Sequence, residues 1–248
     1  MPSSPIFEVC LDSVASAIVA EKTGASRIEL CAGLMEGGIT PSAGLIQTVK
    51  AKTRLPVMVM IRPRGGDFCY DDDEFAAMLH DIALCHQLKA DGVVIGLLLP
   101  DGSVDVVRTR QLVEAAKPML VTFHRAFDMV KDPAQALEDI IAIGGIQRIL
   151  TSGCERSAYE GMDLLAELSV QANGRIIIMP GAGITERNVN KIVAATGAKE
   201  IHVGAGGTKE SRMEYRNPYC SMGYAISAPE YSLRVTSENK LGALLQRF

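Results

Sequence analysis

The chain has 248 residues, 48% of them hydrophobic, no Trp and a formal charge of −4. That length and apolar content suit one large α/β domain whose core rests on aliphatic rather than aromatic side chains. The acidic balance argues against nucleic acid or another polyanion as the main partner, while leaving room for one small anion in a local pocket.

Short apolar runs that end in a polar, charged or thiol residue recur along the chain. The first, Phe7-Glu-Val-Cys10, precedes a helix over residues 14–20, capped by Asp12 and Ser13 and stopped by Gly24. Arg27-Ile-Glu-Leu-Cys31 follows, and Thr40-Pro41 opens the next helix, with proline in the first turn where its missing N–H is harmless. Val57-Met-Val-Met-Ile-Arg62 precedes a helix that Asp71 to Asp73 begin. Then come Val93-Val-Ile-Gly96 and Leu120-Val-Thr-Phe-His124, with Asp132-Pro133 starting another helix. Arg148-Ile-Leu-Thr151 and Arg175-Ile-Ile-Ile-Met-Pro180 come next, and Thr185-Glu186 begins a helix over Val189, Ile192 and Val193. Ile201-His-Val-Gly204 is the eighth run.

The last unit is atypical, because residues 205–235 intervene before a final helix at about 236–248. Tyr215, Tyr219, Tyr224 and Tyr231 lie in that excursion. Disordered segments are poor in aromatics, so the excursion is expected to pack, as a lid or as a subunit contact.

The runs start roughly 20 to 36 residues apart, enough for one strand, one helix and two loops each time. Eight such units predict an α/β fold, a (β/α)8 TIM barrel spanning residues 1–248 as a single domain. The ends of the runs form its functional mouth.

In such a barrel one strand face meets the helices and the other fills the interior. Alternation therefore turns Glu8 and Cys10, Glu29 and Cys31, Met58, Met60 and Arg62, Thr122 and His124, and His202 inward. Buried charges must be neutralised. Either these groups close on one another as an ionic plug, or they form a site in which Glu8, Glu29 and His124 act as acid–base groups. Arg62 and Arg64, in Arg-Pro-Arg-Gly-Gly-Asp67, offer cations at one strand end. Gly181 and Gly183 follow the seventh run, and Gly204 and Gly206 the eighth, where many barrels cradle a phosphate. The same glycines also suit plain tight turns, so both readings stand.

No lysine ends a strand, which disfavours a Schiff-base mechanism, and no Gly-x-Ser-x-Gly, His-Glu-x-x-His or Walker-type motif occurs. The six cysteines show no Cys-x-x-Cys spacing and read as free thiols in a reducing compartment. The opening Met-Pro-Ser-Ser-Pro lacks the features of a signal peptide, and no apolar run is long enough to span a bilayer. Cys10 and Cys31 occupy equivalent places on neighbouring strands, two residues beyond an inward glutamate. Two such sulfurs suit Cu(I), a soft ion that prefers thiolates, although buried cysteines also serve as small hydrophobes.

Several strings together resemble the CutC copper homeostasis family, nearest in look to its animal members. They are Phe7-Glu-Val-Cys10, Arg27-Ile-Glu-Leu-Cys31, Ile61-Arg-Pro-Arg-Gly-Gly-Asp-Phe68, Thr122-Phe-His-Arg-Ala-Phe-Asp128, Leu150-Thr-Ser-Gly153 and Tyr215-Arg-Asn217. The resemblance implies a TIM barrel, a cytoplasmic and also nuclear location, homo-oligomers (dimer or tetramer), and copper handling with Cys10 and Cys31 as Cu(I) ligands. The glycine-rich loop after the eighth run departs from the Ser/Ala-type loop common in the family. The alternative is an isomerase- or lyase-like enzyme for a small phosphorylated or carboxylated metabolite. In either case Glu8 and Glu29 stand close enough to the thiols to oppose thiolate formation unless they are paired.

Overall fold

The eight apolar runs become eight parallel strands in the computed structural model, which describes residues 5–220 and 230–248. They are β1 (Ile6–Leu11), β2 (Arg27–Leu30), β3 (Val57–Met60), β4 (Gly92–Ile95), β5 (Leu120–Phe123), β6 (Arg148–Thr151), β7 (Ile177–Pro180) and β8 (Glu200–Val203). Hydrogen bonding runs in the order β7-β6-β5-β4-β3-β2-β1-β8. β7 and β8 then come side by side to complete the ring. The strands are buried along nearly their whole length, as expected of parallel strands covered on both faces.

Helices alternate with the strands: α1 (Val14–Thr23), α2 (Ala43–Lys52), α3 (Asp72–Gln87), α4 (Val106–Ala116), α5 (Pro133–Ile143), α6 (Met162–Ala172), α7 (Val189–Thr196) and α8 (Glu238–Leu245). Their starts follow the capping chemistry. Ser13 accepts from the Ser16 N–H and Gly24 closes α1 at φ +98°. Asp71 and Glu74 form a reciprocal capping box on α3, and Asp132 caps α5 with Pro133 in its first turn.

Two expected starts fall late. Ser42, not Thr40-Pro41, caps α2, because Thr40 is held in the loop, where its Oγ1 accepts from the Arg62 N–H. α7 begins after Asn188 rather than at Thr185, because the Asn188 side chain accepts from the Thr185 N–H and holds that stretch as a turn.

The excursion contains an antiparallel hairpin, β9 (Gly206–Glu210) with β10 (Ser232–Thr236). Within this single chain Tyr215 and Tyr219 are 72% and 96% exposed. Tyr231 is half-buried, under the Arg216 guanidinium at 4.9 Å, and Tyr224 lies outside the described residues.

Close backbone packing sets one loop at the mouth. Gly153 (φ +72°) and Gly161 face each other, and a Cβ on Gly161 would land on the Ser152 carbonyl oxygen. Gly161→Ala is therefore expected to destabilise the protein by about 1–3 kcal/mol, the scale of overpacking. An unchanged urea midpoint would refute this.

Candidate functional site

The barrel interior is built in two storeys, and strand register decides which charges meet. Across β1 and β2, Glu8 pairs with Arg27 and Cys10 with Glu29; across β1 and β8, Glu8 pairs with His202. In the lower storey Arg27 forms buried ion pairs with Glu8 and Glu200. Arg148 donates to Glu200 Oε2 at 2.9 Å and to Thr122 Oγ1 at 3.3 Å. The predicted ionic plug thus exists, with partners the inward-facing set above omitted. Arg27, Arg148 and Glu200 share strand faces with Glu29, Leu150 and His202, so strict alternation carried to the strand starts would have found them.

Glu8 is sealed. Burial would raise its carboxyl, but the hydrogen bond and charge of His202, with the Arg27 guanidinium, outweigh it and hold the group at about 2. Its Oε1 lies 2.8 Å from His202 Nδ1, and Glu8 lines neither cavity at the mouth.

Above it lies the thiol pair. Register offsets the two cysteines by two residues, since Cys10 pairs with Glu29, yet their sulfurs are 3.9 Å apart. The hydrogen bond with Cys31 holds Cys10 well below the ordinary thiol range against the cost of burial, helped by the hydrogen bond and charge of His202. Cys31 is pushed the other way, by that same hydrogen bond, by burial and by the negative charge near it. Its Sγ also lies 3.5 Å from Glu29 Oε2. Burial, followed by the charges of Cys10 and Glu8, raises Glu29 well above the carboxylate range. Burial opposes the imidazolium of His202, but the carboxyls of Glu29 and Glu8 and the hydrogen bond with Cys10 raise it overall. The lower thiol pKa thus falls on Cys10, facing His202, and the higher on Cys31, and either sulfur can donate to the other. Of the nearby carboxyls, Glu8 is paired with Arg27 and His202, and burial favours the neutral form of Glu29.

Ligating atoms of Cys10, Glu29 and Cys31 lie within 4.8 Å of one another, as do those of Glu8, Glu29 and His202.

Over this floor opens a cavity of about 270 Å³. His124 and Arg62 form part of its wall, with Met60, Phe68 and Leu150 as apolar lining. His124 begins the short helical turn Arg125–Met129, and its Nδ1 accepts from the Ala126 N–H at 3.1 Å. Burial, reinforced by the charge of Arg62, lowers it to about 3. The ring is thus neutral with its proton on Nε2, so it acts as a donor and has no lone pair free for base catalysis. Gly96 makes room for the ring, since a Cβ there would overlap Cε1 and Nδ1.

The predicted anion residues separate. Arg62 donates to the carbonyls of Glu36, Gly38 and Gly66. Arg64 is drawn outward to Glu74 and Asp67 and lines neither cavity. Gly183, Gly204 and Gly206 line a second cavity of about 280 Å³ beside the first, together with Asp12, Arg125 and Arg234. Gly181 lines neither; a Cβ there would overlap Leu150 Cδ1, so its role is packing.

The long string ending in Asp128 also has a structural role. Its carboxylate accepts from Thr151 Oγ1, the Ser152 and Cys154 N–H groups and Arg125, which fixes the loop after β6.

Fold and site together define a (β/α)8 barrel protein with a buried dithiol–carboxyl–imidazole pocket at its C-terminal mouth. Residues 5–207 match the model of the CutC family, and the chain belongs to that family. It is 51% identical over 239 residues to the human protein named copper homeostasis protein cutC homolog, covering 96% of this chain and 87% of the human one. A CutC family protein of Parabacteroides distasonis is also 51% identical, over 241 residues, with 97% and 99% covered. A crystal structure of CutC from Streptococcus agalactiae superposes with a TM-score of 0.75 at 34% identity, covering 80% of this chain and 98% of that one.

Proposed function

We propose that this CutC protein handles copper inside the cell by holding Cu(I) between Cys10 and Cys31. The observation that carries this reading is the pair of sulfurs 3.9 Å apart, Cys31 buried and Cys10 half-buried at the cavity. Two metal–thiolate bonds of about 2.3 Å, the zinc value, would span about 4.6 Å when linear. A slightly bent site, or a small parting of the strand ends, accommodates that difference. Thiolate sulfur selects soft Cu(I) over hard divalent ions. Binding releases the proton of the remaining thiol. The names of the human and mouse relatives point the same way.

No described helix is long and apolar enough to cross a membrane. The exposed Met213, Tyr215 and Tyr219 offer apolar area for a homo-oligomer contact.

The geometry weakens two of the three acid–base candidates of the isomerase- or lyase-like alternative, because Glu8 is fully paired and His124 has no lone pair to act as base, while Glu29 still lines the cavity. Titration of the reduced protein with Cu(I) against a competing chelator is expected to show one tight site. Cys10→Ser and Cys31→Ser should each weaken it at least a hundredfold. Unchanged affinity in both variants would sink the proposal.

A further inference from the structure

Three buried arginines line this barrel, and they are treated differently. Arg27 and Arg148 are each paired with a buried carboxylate. Arg62, 5% exposed, donates to three backbone carbonyls and lies close to the Tyr70 hydroxyl, a neutral group. Among the described residues no carboxylate oxygen lies within 4.0 Å of its guanidinium. A buried charge left without a counter-charge is costly.

Beside it His124, 3% exposed, presents an Nε2–H that also has no acceptor, and the Arg62 Nε–H is likewise buried and unpartnered. The His124 proton position follows from geometry, since Nδ1 is occupied by the Ala126 N–H. Phe68 holds the two groups in place, its ring 5.1 Å from the His124 ring and 4.9 Å from Arg62 Cζ. Both residues line the 270 Å³ cavity.

We propose that this cavity binds a small carboxylate, whose oxygens accept from His124 Nε2–H and Arg62 Nε–H and whose charge neutralises Arg62. The other charged groups there are already engaged or of the wrong kind. Arg125 is paired with Asp128, His202 with Glu8, and Glu29 and Glu36 are acids. Two unpartnered donors match the two oxygens of a carboxylate better than the three of a phosphate. The cavity lies just below the roughly 300 Å³ at which drug-sized ligand sites begin, so the ligand is a short-chain acid. Met60, Phe68 and Leu150 would cover its carbon skeleton. Neither donor is a thiol, but Cys10 lines the same cavity, so the metal-free protein separates this inference from the copper reading.

Isothermal titration of the metal-free, reduced protein with sodium pyruvate, sodium L-lactate and inorganic phosphate, at matched chloride, tests it. Saturable binding of pyruvate or lactate is expected, weakened roughly tenfold or more in His124→Phe, the scale of one charge-assisted hydrogen bond. No saturable heat with either acid, phosphate binding tighter than both, or unchanged binding in His124→Phe would overturn it. The unaltered protein gives a second reading that needs no folded variant. Pyruvate should shift the 15N-resolved Nε2–H resonance of His124, and a resonance that stays put under saturating pyruvate overturns the proposal as well.

Discussion

Glu200→Gln is expected to destabilise the protein by about 3–5 kcal/mol, the cost of removing one partner from a buried ion pair. Its Oε2 accepts from both Arg27 and Arg148, and all three side chains are at most 8% exposed. Without that charge two guanidinium groups face each other across the barrel floor with Glu8 as their only counter-ion. Burial, and after it the charge of Arg27, lowers the pKa of Arg148 even with Glu200 present.

Urea unfolding at neutral pH provides the measurement, with Glu138→Gln as control. Glu138 pairs with Arg175 at the surface, where both side chains are over 40% exposed, and such pairs contribute at most about 1 kcal/mol. Adding Arg148→Met to Glu200→Gln removes the surplus cation and should restore much of the loss. A Glu200→Gln variant no weaker than the surface control would show that the floor tolerates unpaired charge.

The barrel itself was legible because its signal is repeated. Eight apolar runs at helix-plus-strand spacing leave few other folds open, and alternation placed Glu8, Cys10, Glu29, Cys31, His124 and His202 on the inner face as found. Which inner groups meet was not legible, because barrel shear sets the register between strands that are distant in sequence. Glu8 therefore reads as a catalytic candidate in sequence, while in space Arg27 and His202 enclose it. Arg64 reads as a twin of Arg62, yet the capping box that starts α3 places Glu74 where it draws Arg64 away from the mouth. The His124 tautomer was likewise hidden, since it depends on one backbone N–H two residues on. The storeys divide the work. The floor is a closed set of charges that stabilises the barrel, and the upper storey keeps its thiols, one imidazole N–H and one arginine uncommitted.

That uncommitted imidazole predicts a pH dependence with a definite sign. His124 titrates near 6.5 in the unfolded chain and at about 3 in the folded protein. Between those values the unfolded state binds the extra proton, so stability is fully present above about 6.5 and falls as the pH drops toward about 3. A gap of about 3.5 units corresponds to a loss on the order of 5 kcal/mol at 1.36 kcal/mol per unit. Glu8 contributes in the same direction but lower, because its carboxyl is held at about 2 and its share is lost only below the ordinary carboxylate range.

The two are separable. Glu29, whose carboxyl burial raises, contributes with the opposite sign over this window, so the reading is the difference between the curves. Wild type should lose more stability than His124→Phe from pH 6.5 to 4.5, and both should keep the acid limb where Glu8 protonates. Equilibrium urea melts across this range must use carboxylate-free buffers, because acetate or citrate would occupy the site inferred for Arg62 and His124 and stabilise the folded state by mass action. A wild-type curve as flat as that of His124→Phe would mean that the ring takes up its proton while folded. It would then no longer be the neutral donor that the Ala126 N–H enforces.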